Sequence, residues 1–184
     1  GPVVAAAVVL GRGEKWFEYL DDSKKLTRRN RDRLIELIVG NSVAIGIGYS
    51  SNDKIDEIGI IEARNIAAID AFEQCSLALV PYTVAAVVDD SRLWKLRDYL
   101  GGFSSLFVDK ADSLSFSVAA ASIVAKASRD LFMELEAKDY PEYSFEKNKG
   151  YGSKAHFSAL KKHGPCPLHR ASFAPVRSSI IASL

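Results

Sequence analysis

Cysteine is scarce in this sequence, with two in 184 residues, Cys75 and Cys166. They lie far apart and outside any metal-ligand spacing, so they read as reduced thiols of an intracellular protein rather than as a disulfide framework. Charge of one sign is equally lacking: 24 Lys and Arg stand against 23 Asp and Glu, a net +1. Any binding to nucleic acid therefore has to come from local clusters of cations and not from the overall field. Long apolar runs are missing too. The run Pro2 to Leu10 has neither a basic leader nor a small-residue cleavage site, and reads as a strand rather than as the core of a signal peptide. With 12 Gly, 6 Pro and no Gly/Ser/Pro-rich linker or repeat, one domain over residues 1–184 is expected. No methionine opens the chain, so residues upstream of Gly1 are expected as well.

What is present is a 48% hydrophobic, soluble, globular composition with alternating strand-like and helix-like stretches. Val3 to Leu10 is a β-branched and Ala-rich run that breaks at Gly11-Arg12-Gly13. Asn41 to Ser50 alternates, with Val43, Ile45, Ile47 and Tyr49 on one face and Ala44, Gly46 and Gly48 on the other, and the two runs suit neighbours in one sheet. Thr27 to Ile38 predicts a helix capped by Thr27. Apolar residues at helical spacing predict another over Lys54 to Leu79, ended by Pro81. Thr83 to Val88 reads as a fully buried strand and Ser105 to Val108 as a shorter one. The small residues Ala119, Ala120, Ala121 and Ser122 suit a helix pressed onto a sheet, and a short helix is expected near Lys154 to Lys162. The order argues for a mixed α/β sheet.

Three places could carry chemistry. Asp89-Asp90 ends one buried strand and Asp112 follows the next, at the carboxyl ends where open α/β sheets place their sites. Two such carboxylates could share a Mg²⁺ bridging to phosphate, or could merely start turns. Lys24, Lys25, Arg28, Arg29, Arg31 and Arg33 crowd ten residues, either a phosphate-binding patch or a solvated helix start. In KNKGYGSKAH, Tyr151 stands between two glycines among lysines, an arrangement suited to stacking on a sugar or base.

The ordered runs GPVVAAAVVL, DDSKKLT, IDEIGIIEARNIAAIDAF, AAVVDD, KADSLSFSVAAASIVAKASRD, KGYGSKAH, HGPCPLHR and SFAPV together resemble bacterial ribonuclease HII over nearly the whole chain. The resemblance implies a ribonuclease H-like fold: a five-stranded mixed sheet flanked by helices, with a helical C-terminal part. It implies a metal-dependent endonuclease, using Mg²⁺ or Mn²⁺, that cuts the RNA strand of RNA–DNA hybrids or nicks beside a single ribonucleotide in duplex DNA. Cleavage on the 5′ side of the ribonucleotide leaves a 3′-hydroxyl and a 5′-phosphomonoester.

Of the family's four carboxylates, Asp89 matches the third and Asp112 the fourth. Tyr151 matches the tyrosine that packs on the sugar at the RNA-to-DNA junction, and Lys24 and Lys25 match lysines suited to phosphate. The first two carboxylates, with a Gly-Arg-Gly that reads the 2′-hydroxyl, belong to a central strand expected upstream of Gly1. The chain is accordingly expected to be N-terminally incomplete, and the alternative to an active enzyme is an inactive truncated homologue that only binds nucleic acid. Gly11-Arg12-Gly13 is read as a turn, Asp56-Glu57 as a helical pair without a catalytic role, and Asp130 as structural. Asp90 departs from the family's usual glycine, an extra carboxylate beside the metal site. A cytoplasmic monomer is expected, away from membranes, with a sliding clamp as a candidate partner.

Overall fold

The structure is a computed structural model and describes residues 1–11, 15–20, 28–77 and 85–181. In chain order its elements are β1 (Val3–Leu10), α1 (Arg28–Asn41), β2 (Ser42–Ser50), α2 (Asn52–Ile58), α3 (Ile60–Leu77), β3 (Ala85–Asp89), α4 (Trp94–Tyr99), β4 (Ser104–Val108), α5 (Phe116–Glu136), α6 (Phe145–Asn148), α7 (Lys154–His163) and α8 (Ala174–Ile181). Thr27, Arg12-Gly13 and Pro81 lie outside the described residues, and so do the expectations placed on them.

β1 and β2 pair antiparallel, Val4 opposite Tyr49 and Ala6 opposite Ile47. The alternation of β2 sorts its side chains onto two faces, and the small face is the one buried against α3. That helix offers Ala63, Ala67, Ala71 and Cys75 at four-residue spacing, all at most 3% exposed. A Cβ on Gly46 would run into the Ala71 carbonyl and one on Gly48 into the Ala67 carbonyl, so helix and strand touch backbone to backbone. On the opposite face Ile45 and Ile47 pack into the main core with Leu20, Leu34 and Ile38, beside Ala119, Ala120 and Ile123 of α5. Gln74 pairs its side-chain amide with the backbone of Ile47, donating to the carbonyl at 2.9 Å and accepting from the N–H at 3.3 Å, which occupies part of a sheet edge.

The helical run after Ser50 divides into two helices where the periodicity predicts one. Ser51 caps α2 by accepting from the Lys54 N–H. Gly59, at φ 84°, then ends α2 by donating to the Ile55 carbonyl, and α3 starts in a new direction.

β3 and β4 pair in parallel, Ala85 opposite Ser104 and Asp89 opposite Val108. Buried Leu93, Leu96 and Leu100 pack with Phe72 of α3 and Val88 of β3. Asn65, fully buried, fixes the start of α4: its Oδ1 accepts from the N–H groups of Lys95 and Leu96. β3 departs from the fully buried strand that its apolar run predicts, since Val87 is 42% exposed. Among the described residues β4 is its one strand neighbour, and a cleft of about 800 Å³ lies between β1, β3 and the first half of α5. The fold is mixed α/β with helices flanking the strands, as expected, but the four described strands form two separate pairs rather than one five-stranded sheet.

The C-terminal part is helical and has its own core of Met133, Ala137, Tyr143 and Phe145 at the end of α5. It is tied back to α2 and to the residues before β1 by polar contacts. Asn52 donates to the Pro167 carbonyl at 2.7 Å, Asp56 accepts from the N–H groups of Ala171 and Ser172, and Arg170 Nε donates to the Gly1 carbonyl at 3.0 Å. No helix of the described residues is long and apolar enough to cross a membrane.

Candidate active site

Asp89 is the last residue of β3, and the chain returns to it through β4. After β4, Lys110 takes a left-handed conformation (φ 63°), which turns the following backbone towards Asp89. The N–H groups of Lys110 and Ala111 donate to Asp89 Oδ1 at 2.7 and 3.3 Å. Asp112 follows at once, in the 3₁₀ turn Ala111–Ser113 whose first residue is fully buried. The parallel pairing of β3 with β4 therefore brings the Lys110–Ala111 backbone up to Asp89, and Asp112 is the next residue in the chain.

Asp90, next to Asp89, points elsewhere. Its φ of 118° is a backbone region that favours glycine. Its carboxylate is 6% exposed and is held by Arg64 of α3 and by Arg92, whose Nε donates at 2.9 Å. Two guanidiniums thus take up the extra carboxylate's charge. Asp109 accepts from both the N–H and the hydroxyl of Ser91, at 2.8 and 3.2 Å, and these bonds hold its carboxyl below the usual range. A second cleft of about 510 Å³ opens here, lined by Asp89, Asp90 and Asp109 with Arg64, Arg92 and Lys110. Alternating carboxylates and cations suit a phosphodiester that meets metal and protein charge together.

The donor set fits a hard divalent cation, which takes carboxylate oxygens. Among the described residues, no group of three or more His, Cys, Asp or Glu could hold one.

Tyr151 stands apart from the carboxylates along α5. Lys126 Nζ and the Arg129 guanidinium lie 5.2 and 4.8 Å from its ring centre, and the ring is 55% exposed. Lys126 follows Ala125, the last α5 residue lining the larger cleft, which also reaches Asp89. Lys126 is ion-paired with Asp130 one turn on, in keeping with a structural Asp130. Lys24 and Lys25 lie outside the described residues.

Sequence reasoning missed the cations of this surface. Arg64 comes from a helix 25 positions before Asp89, and no local pattern links the two. Lys126 and Arg129 carried a signal, the three-residue spacing that puts both on one helical face. His156 and His169 also went unassigned, although both stand in the quoted runs. Asp56 and Glu57 lie on a helix, α2, as expected, and the structure adds that the first tethers the C-terminal segment and the second pairs with Lys54.

Comparison with known proteins follows the same map. The family model described as ribonuclease HII matches residues 1–176. Ribonuclease HII of Ligilactobacillus salivarius is 41% identical over 98% of this chain and 67% of its own length. That of Chlamydia trachomatis serovar L2 is 44% identical over 98% of this chain and 78% of its own. Among solved structures, the PCNA:RNase HII complex from Archaeoglobus fulgidus contains a chain similar at a TM-score of 0.69 and 26% identity, covering 88% of this chain and 79% of that one.

Proposed function

The chain belongs to the ribonuclease HII family, and on that premise we propose that it is a metal-dependent ribonuclease H-type endonuclease whose Asp89 and Asp112 hold the metal. The substrate is the RNA strand of an RNA–DNA hybrid, or a single ribonucleotide embedded in duplex DNA. The observation that supports this reading is the seat of Asp89 at the end of β3, held by the N–H groups of Lys110 and Ala111 just before Asp112, in a cleft it shares with Arg64, Arg92 and Lys110.

Each group has a part. The two carboxylates offer hard oxygen donors, and the N–H groups of Lys110 and Ala111 fix the orientation of Asp89 before metal or substrate arrives. A bound Mg²⁺ or Mn²⁺ supplies Lewis-acid charge at the scissile phosphate and lowers the pKa of a bound water. Arg92 and Lys110 add positive charge along the backbone path. The exposed Tyr151 ring, on its cationic support of Lys126 and Arg129, packs on the ribose at the junction, while those cations attract the neighbouring phosphates. Lys24 and Lys25 extend the phosphate contacts. The protein acts as a single domain and a monomer in the cytoplasm, a compartment that suits its two free thiols. A sliding clamp is its proposed protein partner, by likeness to the Archaeoglobus chain that is bound to PCNA.

The test is nicking of a DNA duplex containing one ribonucleotide, by the folded chain, with Mg²⁺ or Mn²⁺. Metal-dependent nicking on the 5′ side of the ribonucleotide is the expected result. A folded chain that binds the duplex without cutting it in either metal would favour the second reading, nucleic-acid binding alone. That reading has one observation behind it, the lack of a third metal-binding carboxylate among the described residues.

A further inference from the structure

Beneath the Tyr151 loop lie two histidines. His156 lies in the first turn of α7 and is 8% exposed. His169 follows the turn that carries Cys166, and the two Nε2 atoms are 3.1 Å apart. Phe145 and Tyr143 wall the pair, with ring centres 5.5 Å from His156 and 4.9 Å from His169 respectively. Tyr143 is itself pinned by its hydroxyl, which donates to the Gly164 carbonyl at 2.7 Å.

The proton positions follow from the partners. At one end, His156 Nδ1 is 2.9 Å from the Tyr151 carbonyl oxygen, which has no proton to give, so Nδ1 carries the hydrogen. At the other end, the Cys166 backbone N–H donates to His169 Nδ1 at 3.0 Å, with the Cys166 thiol at 3.2 Å, so that nitrogen presents its lone pair. The Cys166 carbonyl lies farther from the same nitrogen, at 3.3 Å, and accepts from the His169 backbone N–H at 3.0 Å. A neutral His169 then carries its hydrogen on Nε2, and a neutral His156 has its lone pair on Nε2 facing it. Every group finds a partner, and the chain has one direction.

The geometry points to His169 and His156 as positioning residues for the substrate junction: two neutral imidazoles in a one-way hydrogen-bond chain that holds the Tyr151 backbone and so aims its ring. This rests on the reading of Tyr151 as the group that packs on the ribose. The need for such a support is visible in the loop. Tyr151 lies between Gly150, at φ 76°, and Gly152, and glycines do little to restrict a backbone. Its carbonyl takes the Ser153 N–H at 2.8 Å and the His156 Nδ1–H, which together use both lone pairs. Burial above all holds His169 down to about 4, and burial pushes the Cys166 thiol up, so both groups stay uncharged near neutrality.

The experiment has two arms. The first uses the unaltered chain, with ¹⁵N NMR of the imidazole nitrogens at about pH 7, where an unperturbed histidine is already largely neutral. The expected spectrum shows His156 as the Nδ1–H tautomer and His169 as the Nε2–H tautomer. An imidazolium at His156, or the opposite tautomer at either ring, overturns the chain. The second arm measures binding of a duplex with one ribonucleotide against an all-DNA duplex, without divalent metal. His156→Asn, whose amide nitrogen replaces Nδ1, is expected to keep the preference, whereas His156→Gln, which mimics Nε2 instead, and Tyr151→Ala each lose about tenfold, the worth of one hydrogen bond's positioning. Equal preference in His156→Gln and the parent overturns the positioning role. If Tyr151→Ala leaves the preference unchanged while the tautomers are as assigned, the substrate role of Tyr151 fails and the chain itself stands.

Discussion

At the scale of the residue, Asp90 sets a side-chain gain against a backbone cost. Its carboxylate is satisfied by Arg64 and Arg92, but at φ 118° a Cβ is strained. Comparing Asp90→Ala with Asp90→Gly separates the two effects, since both lose the carboxylate and only glycine relieves the backbone. The glycine variant is expected to be more stable than the alanine variant by about 1–2 kcal/mol, read from urea midpoints. Equal midpoints would mean that the Asp90 backbone stores no strain. His169 gives a second residue-scale expectation. Its folded value of about 4 lies below the ordinary 6.5, so between those values the unfolded chain binds more protons than the folded one. The contribution is fully present above pH 6.5 and is lost as pH falls through 4. It amounts to at most about 3 kcal/mol. His156, Cys166 and Tyr143 are the other titratable groups against this ring. His169→Phe should flatten the stability profile over that window, and an unchanged slope would contradict the burial of a neutral imidazole.

At the scale of the element, the contact of β2 with α3 decides how closely the layers approach. Gly48→Ala places a methyl against the Ala67 carbonyl and is expected to cost about 2 kcal/mol or more. Gly40→Ala, in α1 with open space around it, makes the same chemical change and is expected to stabilise by about 0.5–1 kcal/mol. Opposite shifts of the thermal midpoint would establish that the glycines differ by contact and not by propensity. Much of this level was legible in advance. The alternation Val43, Ile45, Ile47 against Ala44, Gly46, Gly48 sorts the two faces of β2, because side-chain direction in a strand depends on local geometry alone. Which helix would lie on the small face was not legible, since Ala67 and Ala71 meet Gly46 and Gly48 through tertiary contact. The break at Gly59 was missed because apolar spacing continues across it, although glycine at that point was a signal for a helix end. Val87 was read as buried from composition, but its exposure depends on which strands lie beside β3.

At the scale of the whole molecule, the proposed function rests on two strand ends, one turn and the length of α5. Asp89 and Asp112 were candidates because carboxylates at the ends of parallel strands are where α/β folds place chemistry, and because the runs around them resemble a known family; the structure adds the Ala111 N–H that donates to Asp89. Arg64 was not, since its approach to Asp90 needs α3 to fold across β3. The histidine chain was not either: His156 and His169 are separated by a helix and a turn, and only packing around Tyr143 and Phe145 brings them together. Asp89 and Asp112 are proposed to serve the metal and not the grip on nucleic acid. The measurement is cleavage and binding of the same single-ribonucleotide duplex by Asp89→Asn and Asp112→Asn beside the parent chain. The expected result is cutting by the parent that either change lowers by at least about a hundredfold, the scale of losing one preorganised charge at the reacting group, with binding within about threefold of the parent. Near-parental cleavage in either variant, or a collapse of binding to match the loss of cleavage, would contradict it.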